Sequence, residues 1–515
     1  MRDLKLLVIG LDGATWDLIR PWAEKGKLPT FKKLMENGVW GELESTIPPW
    51  SIPAWNSLTT GKNPGKLGFA TFMVKDNHRF KPYFMSSFVE RNIWDILSEN
   101  GKKVIVANPP NIHSAYKING CMVAGWLYKD KETLTYPRNL RYKLDKITGG
   151  YKVDIMIADV NKGKIVKSVM TDKEYLKSVN EMILKHSKSF TYLLENNEWD
   201  FAFMVFADPD RTQHRFWDYK KILLEQHMRL DAAIGDLLQR IDDETNIMLV
   251  SDHGFGPRKK IFNINEWLLK EGYLELRRKK KNKLSKIIEL LIKTKTFSIT
   301  RFLLNFLPSK LLEFLTDKVQ VSAFEPTFDI EWHKTKAFCY SVCGDIYLNV
   351  YDDRVRDDII QKLKTLRYLK NSREIKEIPV KVFKKEEIYR GEHLDKLPDL
   401  VILVDENIQA VNPGLSNGRI FTEGWGGEHR INGIFLAYGP LFRKGGRVNN
   451  AKIYDIAPTI LHIFGIPIPK DMDGTVLKEI FEEGSELAKG EILYQEISEK
   501  ERIRRKVRKL RTLGI

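Results

Sequence analysis

Three cysteines in 515 residues (Cys121, Cys339 and Cys343) are too few for a disulfide framework. Cys339 and Cys343 sit in an apolar setting with no second thiol pair, so they read as small packed hydrophobes rather than metal ligands. No run of about 18 uncharged apolar residues occurs, and a membrane-spanning helix is not expected. A basic stretch followed by an apolar leader is also missing. The short apolar segment Leu4 to Leu11 runs straight into Asp12-Gly13 and reads as a buried strand, which favours a cytoplasmic protein. Internal repeats and low-complexity regions are lacking, apart from clusters of Lys and Arg. What remains is 43% hydrophobic and 30% charged, a globular composition, long enough for two or three domains or one large core with insertions.

The net charge of +16 invites a nucleic-acid reading. The excess is local, however, crowded into Arg277 to Lys286 and Lys500 to Arg511. A uniformly basic binding face would not cluster in this way, so nucleic acid is not the expected partner.

Short apolar runs alternate with helix-period stretches, which predicts an α/β fold: a mostly parallel central sheet flanked by helices on both faces, with cap and insert segments. The expected strands are Leu4 to Leu11, Lys103 to Ala107, Phe201 to Phe206, Asn246 to Ser251 and Asp399 to Val404. The expected helices include Pro29 to Asn37, Phe88 to Asn100, Asp172 to Asn196 and Tyr219 to Ile241. The core then comprises 1–111, 172–270 and 321–485. A cap occupies 112–171, a basic amphipathic insert 271–320, and a basic tail 486–515. In such sheets ligands bind beyond the carboxyl ends of the strands. Four of the five expected strands deliver acidic residues there: Asp12; Asp208 and Asp210; Asp252; and Asp405.

Five segments hold the candidate chemistry. Asp12 follows a buried strand and either projects into a cleft or caps the next helix. Ser51 opens a short helix in Trp50-Ser51-Ile52-Pro53-Ala54, where a hydroxyl can approach a phosphate or merely cap the helix. Asp210 and His214 lie four apart and can share a cation if the chain is helical between them; the plainer reading is an acidic cap and a surface histidine. Asp252-His253-Gly254 leaves a buried strand at a glycine that permits a sharp exit. His429 follows the glycine-rich Gly424-Trp425-Gly426-Gly427. Together they supply three aspartates, three histidines and one serine oxygen, enough for two tetrahedral metal sites. Two cations at about 3.5–4 Å can clamp both oxygens of an in-line displacement.

These residues resemble the alkaline phosphatase superfamily, most closely its type I phosphodiesterase and nucleotide pyrophosphatase branch. Ser51-Ile52-Pro53 leads to Ser57-Leu58-Thr59-Thr60-Gly61 at the spacing of that branch. The resemblance covers the core and leaves both inserted stretches outside. It implies Ser51 as nucleophile and two divalent cations, zinc or alternatively manganese. Asp12, Ser51, Asp252 and His253 would hold one, and Asp210, His214 and His429 the other. It also implies a phosphoserine intermediate that water then cleaves, on a small-molecule or lipid-linked phosphoester. Two positions depart from the pattern. Phe72 stands where the branch carries a phosphate-holding asparagine, leaving Thr71, Lys62 or Arg211 as substitutes, and Gln213 replaces a glycine. A phosphomonoesterase or phosphomutase on the same scaffold is the alternative. Sulfatases are disfavoured because no cysteine occupies the nucleophile segment. A different class, a membrane-surface or nucleic-acid binder with a vestigial site, would use the basic insert for peripheral contact with anionic lipid.

Overall fold

The computed structural model describes residues 4–76, 79–82, 90–126, 128, 130–155, 157–159, 164–166, 170–277, 329–371, 374–377, 380–404, 410–496 and 503. Among the described residues nine strands form the main sheet: β1 (Leu6–Leu11), β2 (Val39–Glu44), β3 (Val104–Ala107), β4 (Gly120–Val123), β5 (Thr135–Tyr136), β6 (Phe201–Phe206), β7 (Asn246–Val250), β8 (Asn432–Tyr438) and β9 (Arg447–Lys452). Their order is β9-β2-β8-β7-β1-β6-β3-β4-β5. Only β5 and β8 run against the other strands. Every residue of β1, β6 and β7 is buried. Strands this apolar need cover on both faces.

Two groups of helices flank the sheet. Trp16–Glu24, Pro29–Asn37, Asp172–Glu195 and Lys220–Leu238 pack among themselves, as do Ser51–Thr60, Ile93–Glu99 and Ile456–Ile463. The helix expected from Phe88 begins at Ile93, where Asn92 and Asp95 close a reciprocal capping box; Phe88 itself lies outside the described residues.

Two sequence expectations change. The strand Leu400–Val404 does not join the parallel sheet. It sits in a separate four-stranded sheet, antiparallel to both Asp345–Leu348 and Val380–Lys384, over its own apolar core. A buried apolar run looks the same in either kind of sheet, so periodicity could not assign it. Asp405 lies outside the described residues. The segment 112–171, read as a cap, also contributes β4 and β5 to the edge of the main sheet. At four and two residues these strands are too short to stand out by pattern.

Of the basic insert only 271–277 is described, and most of the terminal basic cluster likewise lies outside. Among the described residues no helix is long and apolar enough to cross a membrane.

Candidate active site

β7, β1 and β6 are adjacent and parallel, so their carboxyl ends open on one rim. There β1 delivers Asp12, and β7 delivers Asp252 and His253. β6 leads into a helix, Asp208–Phe216, carrying Asp210 and His214 one turn apart on the same face. β2 leads through residues 45–50 to α1 (Ser51–Thr60). Because β8 runs against its neighbours, its start lies at this same rim. The preceding strand, Gly427–Arg430, pairs with Gly254–Pro257 and sets His429 opposite Phe255. All seven candidate residues are thereby brought together from over four hundred positions of chain.

The capping alternatives do not describe these side chains. Thr15, not Asp12, caps the helix Trp16–Glu24 by accepting from the Asp17 N–H. The cap position of α1 is Trp50, which makes no side-chain cap bond, and Ser51 Oγ instead lies 3.2 Å from His253 Nε2. Asp210 Oδ1 lies 3.2 Å from His214 Nε2 and 3.1 Å from His429 Nε2.

Two clusters result: Asp12, Asp252 and His253, and Asp210, His214 and His429, each with one ligand atom per residue within 4.8 Å of the others. The His253 and His429 rings stack at 3.7 Å, which makes the clusters neighbours. Each of the three histidines has Nδ1 against a backbone carbonyl: His253 to Gly254 O at 3.0 Å, His214 to Gly427 O at 3.1 Å, His429 to Pro49 O at 3.0 Å. A carbonyl only accepts, so Nδ1 carries the proton and Nε2 presents its lone pair. His214 Nε2 and His429 Nε2 then face each other at 3.0 Å, an arrangement that calls for a proton or a cation between them. Asp12 Oδ1 and Asp252 Oδ2 are buried with no hydrogen-bond donor. The orphaned oxygens of Asp12 and Asp252 beside the His253 lone pair fit a divalent cation in the first cluster, and the facing lone pairs of His214 and His429 beside Asp210 Oδ1 fit one in the second.

The charge environment agrees. Burial, then the neighbouring Asp252 and Asp210 carboxylates, push the Asp12 carboxyl well above its ordinary value. Burial pushes Asp252 up to about 7. For Asp210 burial acts in the same direction, but His214 and Arg211 outweigh it and hold the carboxyl well below the usual range. Burial and His429 hold the His253 imidazole low, while Asp210 overrides burial and raises His214.

Supporting contacts come from residues around these ligand candidates. Asp252 Oδ1 accepts from the Gly13 N–H at 3.0 Å, and Trp55 Nε1 donates to Asp12 Oδ2 at 3.3 Å. Gln213 Nε2 donates to Gly13 O at 2.8 Å, tying its helix to the turn after Asp12. Phe72 packs edge-on to Trp50, whose ring lies 4.5 Å from that of His429. Of the three expected substitutes for the missing asparagine, Lys62 is paired with Glu90 and Asp471, and Thr71 Oγ1 donates to Met73 O. Arg211 is held between Asp210 and Asp154. Asp154 was not foreseen, since it lies 57 residues upstream in a stretch without a readable pattern.

Residues 6–427 match the family of type I phosphodiesterases / nucleotide pyrophosphatases. The chain belongs to that family. His429 falls two residues past the matched span and reaches the site through the strand pairing above. Among solved structures the family member is similar to murine ectonucleotide pyrophosphatase / phosphodiesterase 5, both alone and as an inactive variant in complex with AMP. Each likeness has a TM-score of 0.52 at 16% identity and covers 90% of this chain and 95% of the other. The human counterpart gives 0.52 at 15% identity, with 92% and 97% covered. At these identities the likeness establishes the shared fold. No curated protein matches the chain.

Proposed function

We propose that the protein is a two-metal phosphoester hydrolase that cleaves phosphodiester or pyrophosphate bonds through a covalent intermediate on Ser51. The observation that carries this reading is the set of three imidazoles anchored through Nδ1. Their Nε2 atoms are turned on two buried acidic clusters, one of them in contact with the Ser51 hydroxyl. Asp12, Asp252, His253 and Ser51 would hold one cation, and Asp210, His214 and His429 the other. Carboxylate and imidazole donors suit zinc, with manganese as the alternative. Bound cations supply charge neutralisation to the attacking and leaving oxygens.

The chain's own part is positioning. Ser51 Oγ bonds to phosphorus as the bond to the leaving oxygen breaks, and the serine proton ends on the leaving group. Water then displaces Ser51 in a second in-line step and restores its hydroxyl. The N–H groups of Ser51 and Ile52 open α1 ahead of its first helical bond, from Ala54 N–H to Trp50 O, and would face the anionic phosphoryl group. A loose transition state of this kind needs orientation and charge more than covalent help. The AMP-bound relative supports a nucleotide-type substrate.

Phe72 favours a second reading. With no polar side chain there, and with Lys62 and Thr71 engaged elsewhere, diester selectivity loses a support, and a phosphomonoesterase or phosphomutase fits the same site. A vestigial site is disfavoured by the complete ligand set. The test is a zinc- and manganese-reconstituted panel of chromogenic mono- and diesters, run with wild type and Ser51→Ala. Diester turnover that falls to background in Ser51→Ala, with metal content retained, is expected. Undiminished turnover in that variant overturns the nucleophile assignment, and faster monoester turnover selects the second reading.

A further inference from the structure

Arg211 is a buried guanidinium, 5% exposed, next in sequence to the Asp210 carboxylate. Its Nη1 donates to Asp210 Oδ2. On its other edge, Nε and Nη2 donate to Asp154, at 3.1 and 3.2 Å for Nε and 2.9 Å for Nη2. The Trp126 ring lies 5.1 Å from the guanidinium carbon and steadies the plane from one face. Asp154 and Trp126 both belong to 112–171, so a segment outside the catalytic strands grips this arginine.

The consequence for Asp210 is specific. Its two oxygens are divided: Oδ2 is bound to Arg211, and Oδ1 is left to His214 and His429. An arginine alone would fix that geometry at the cost of a positive charge beside a cation site. Asp154 cancels the charge while leaving the fork in place.

We infer that Arg211 and Asp154 are a positioning pair that sets the affinity of the Asp210–His214–His429 site for its cation. Arg211 orients the ligand carboxylate, and Asp154 removes the electrostatic penalty. This rests on the two-metal reading.

The test is titration of metal-free protein with Zn²⁺ against a chromogenic chelator, with melting of the metal-free form as a fold control. Wild type is expected to show two sites; fewer would sink the two-metal reading rather than this inference. The double variant Asp154→Leu/Arg211→Met exchanges a buried ion pair for apolar groups of similar size, which commonly preserves folding. It leaves the net charge unchanged, so it isolates orientation. The second site should weaken by about 10–100-fold, the usual effect of losing an outer hydrogen-bond partner, while the first site keeps its affinity. Asp154→Asn keeps a partner for Arg211 but uncovers its charge, and should also weaken the second site selectively. Wild-type affinity at the second site in the folded double variant overturns the inference. If the double variant does not fold, Asp154→Asn decides, and unchanged second-site affinity there overturns it equally.

Discussion

A histidine can serve as a metal ligand when its other nitrogen is held, and three backbone carbonyls hold Nδ1 of His214, His253 and His429, the imidazoles proposed as ligands. The orphaned oxygens of Asp12 and Asp252 are the complementary half. They come with a stability penalty in the metal-free chain, since a buried carboxyl pushed up to about 7 resists ionisation. Asp252→Asn should therefore remove one cation and abolish turnover. It should also leave the metal-free protein at least as stable as wild type at pH 8, by thermal melting, because Asn Oδ1 can still accept from Gly13. Marked destabilisation at that pH would contradict the account. At this scale the sequence singled out the proposed ligands that stand at the end of an apolar strand or one helical turn from a partner, as with Asp12, Asp210, His214, Asp252 and His253. It was silent on what orients them. The carbonyls of Pro49 and Gly427 and the carboxylate of Asp154 act through the folded chain, and no local spacing announces them.

Among the elements, the strand pair Gly254–Pro257 and Gly427–Arg430 serves the second cluster, since it sets His429 opposite Phe255 and within reach of Asp210 and His214. Gly254 makes the approach possible: a Cβ there would lie 1.9 Å from Asn432 O, a backbone atom that cannot swing aside. Gly254→Ala should cost about 1–3 kcal/mol by denaturant unfolding, the range for overpacking. It should also weaken zinc at the Asp210–His214–His429 site more than at the other, and equal effects on both would contradict this role. The glycine was visible in the sequence as a chain exit. Its partner strand was not, because Gly427–Arg430 is short and polar. The opposite error befell Leu400–Val404, whose apolar run marked a buried strand but carried no information about which sheet would bury it.

For the molecule as a whole, the proposed two-metal site would make metal, pH and stability interdependent. Asp12 and Asp252 have folded-state values raised above their unfolded ones. Below the unfolded value, near 4, both states hold the proton and nothing is lost. As pH rises from there toward about 7, the unfolded chain releases protons that the folded chain keeps, so stability falls. Relative to Asp252→Asn, chelator-treated wild type should therefore lose melting temperature between about pH 4 and pH 7, and zinc should stabilise wild type increasingly over the same window. Parallel pH profiles for the two forms would contradict the coupling. The central claim, two successive displacements with Ser51 as nucleophile, is tested most directly by stereochemistry at phosphorus. A P-chiral phosphorothioate diester hydrolysed by the metal-loaded protein in isotopically heavy water should give product with retained configuration, since each in-line step inverts once. Net inversion would mean that water attacks directly and that Ser51 never bonds to phosphorus.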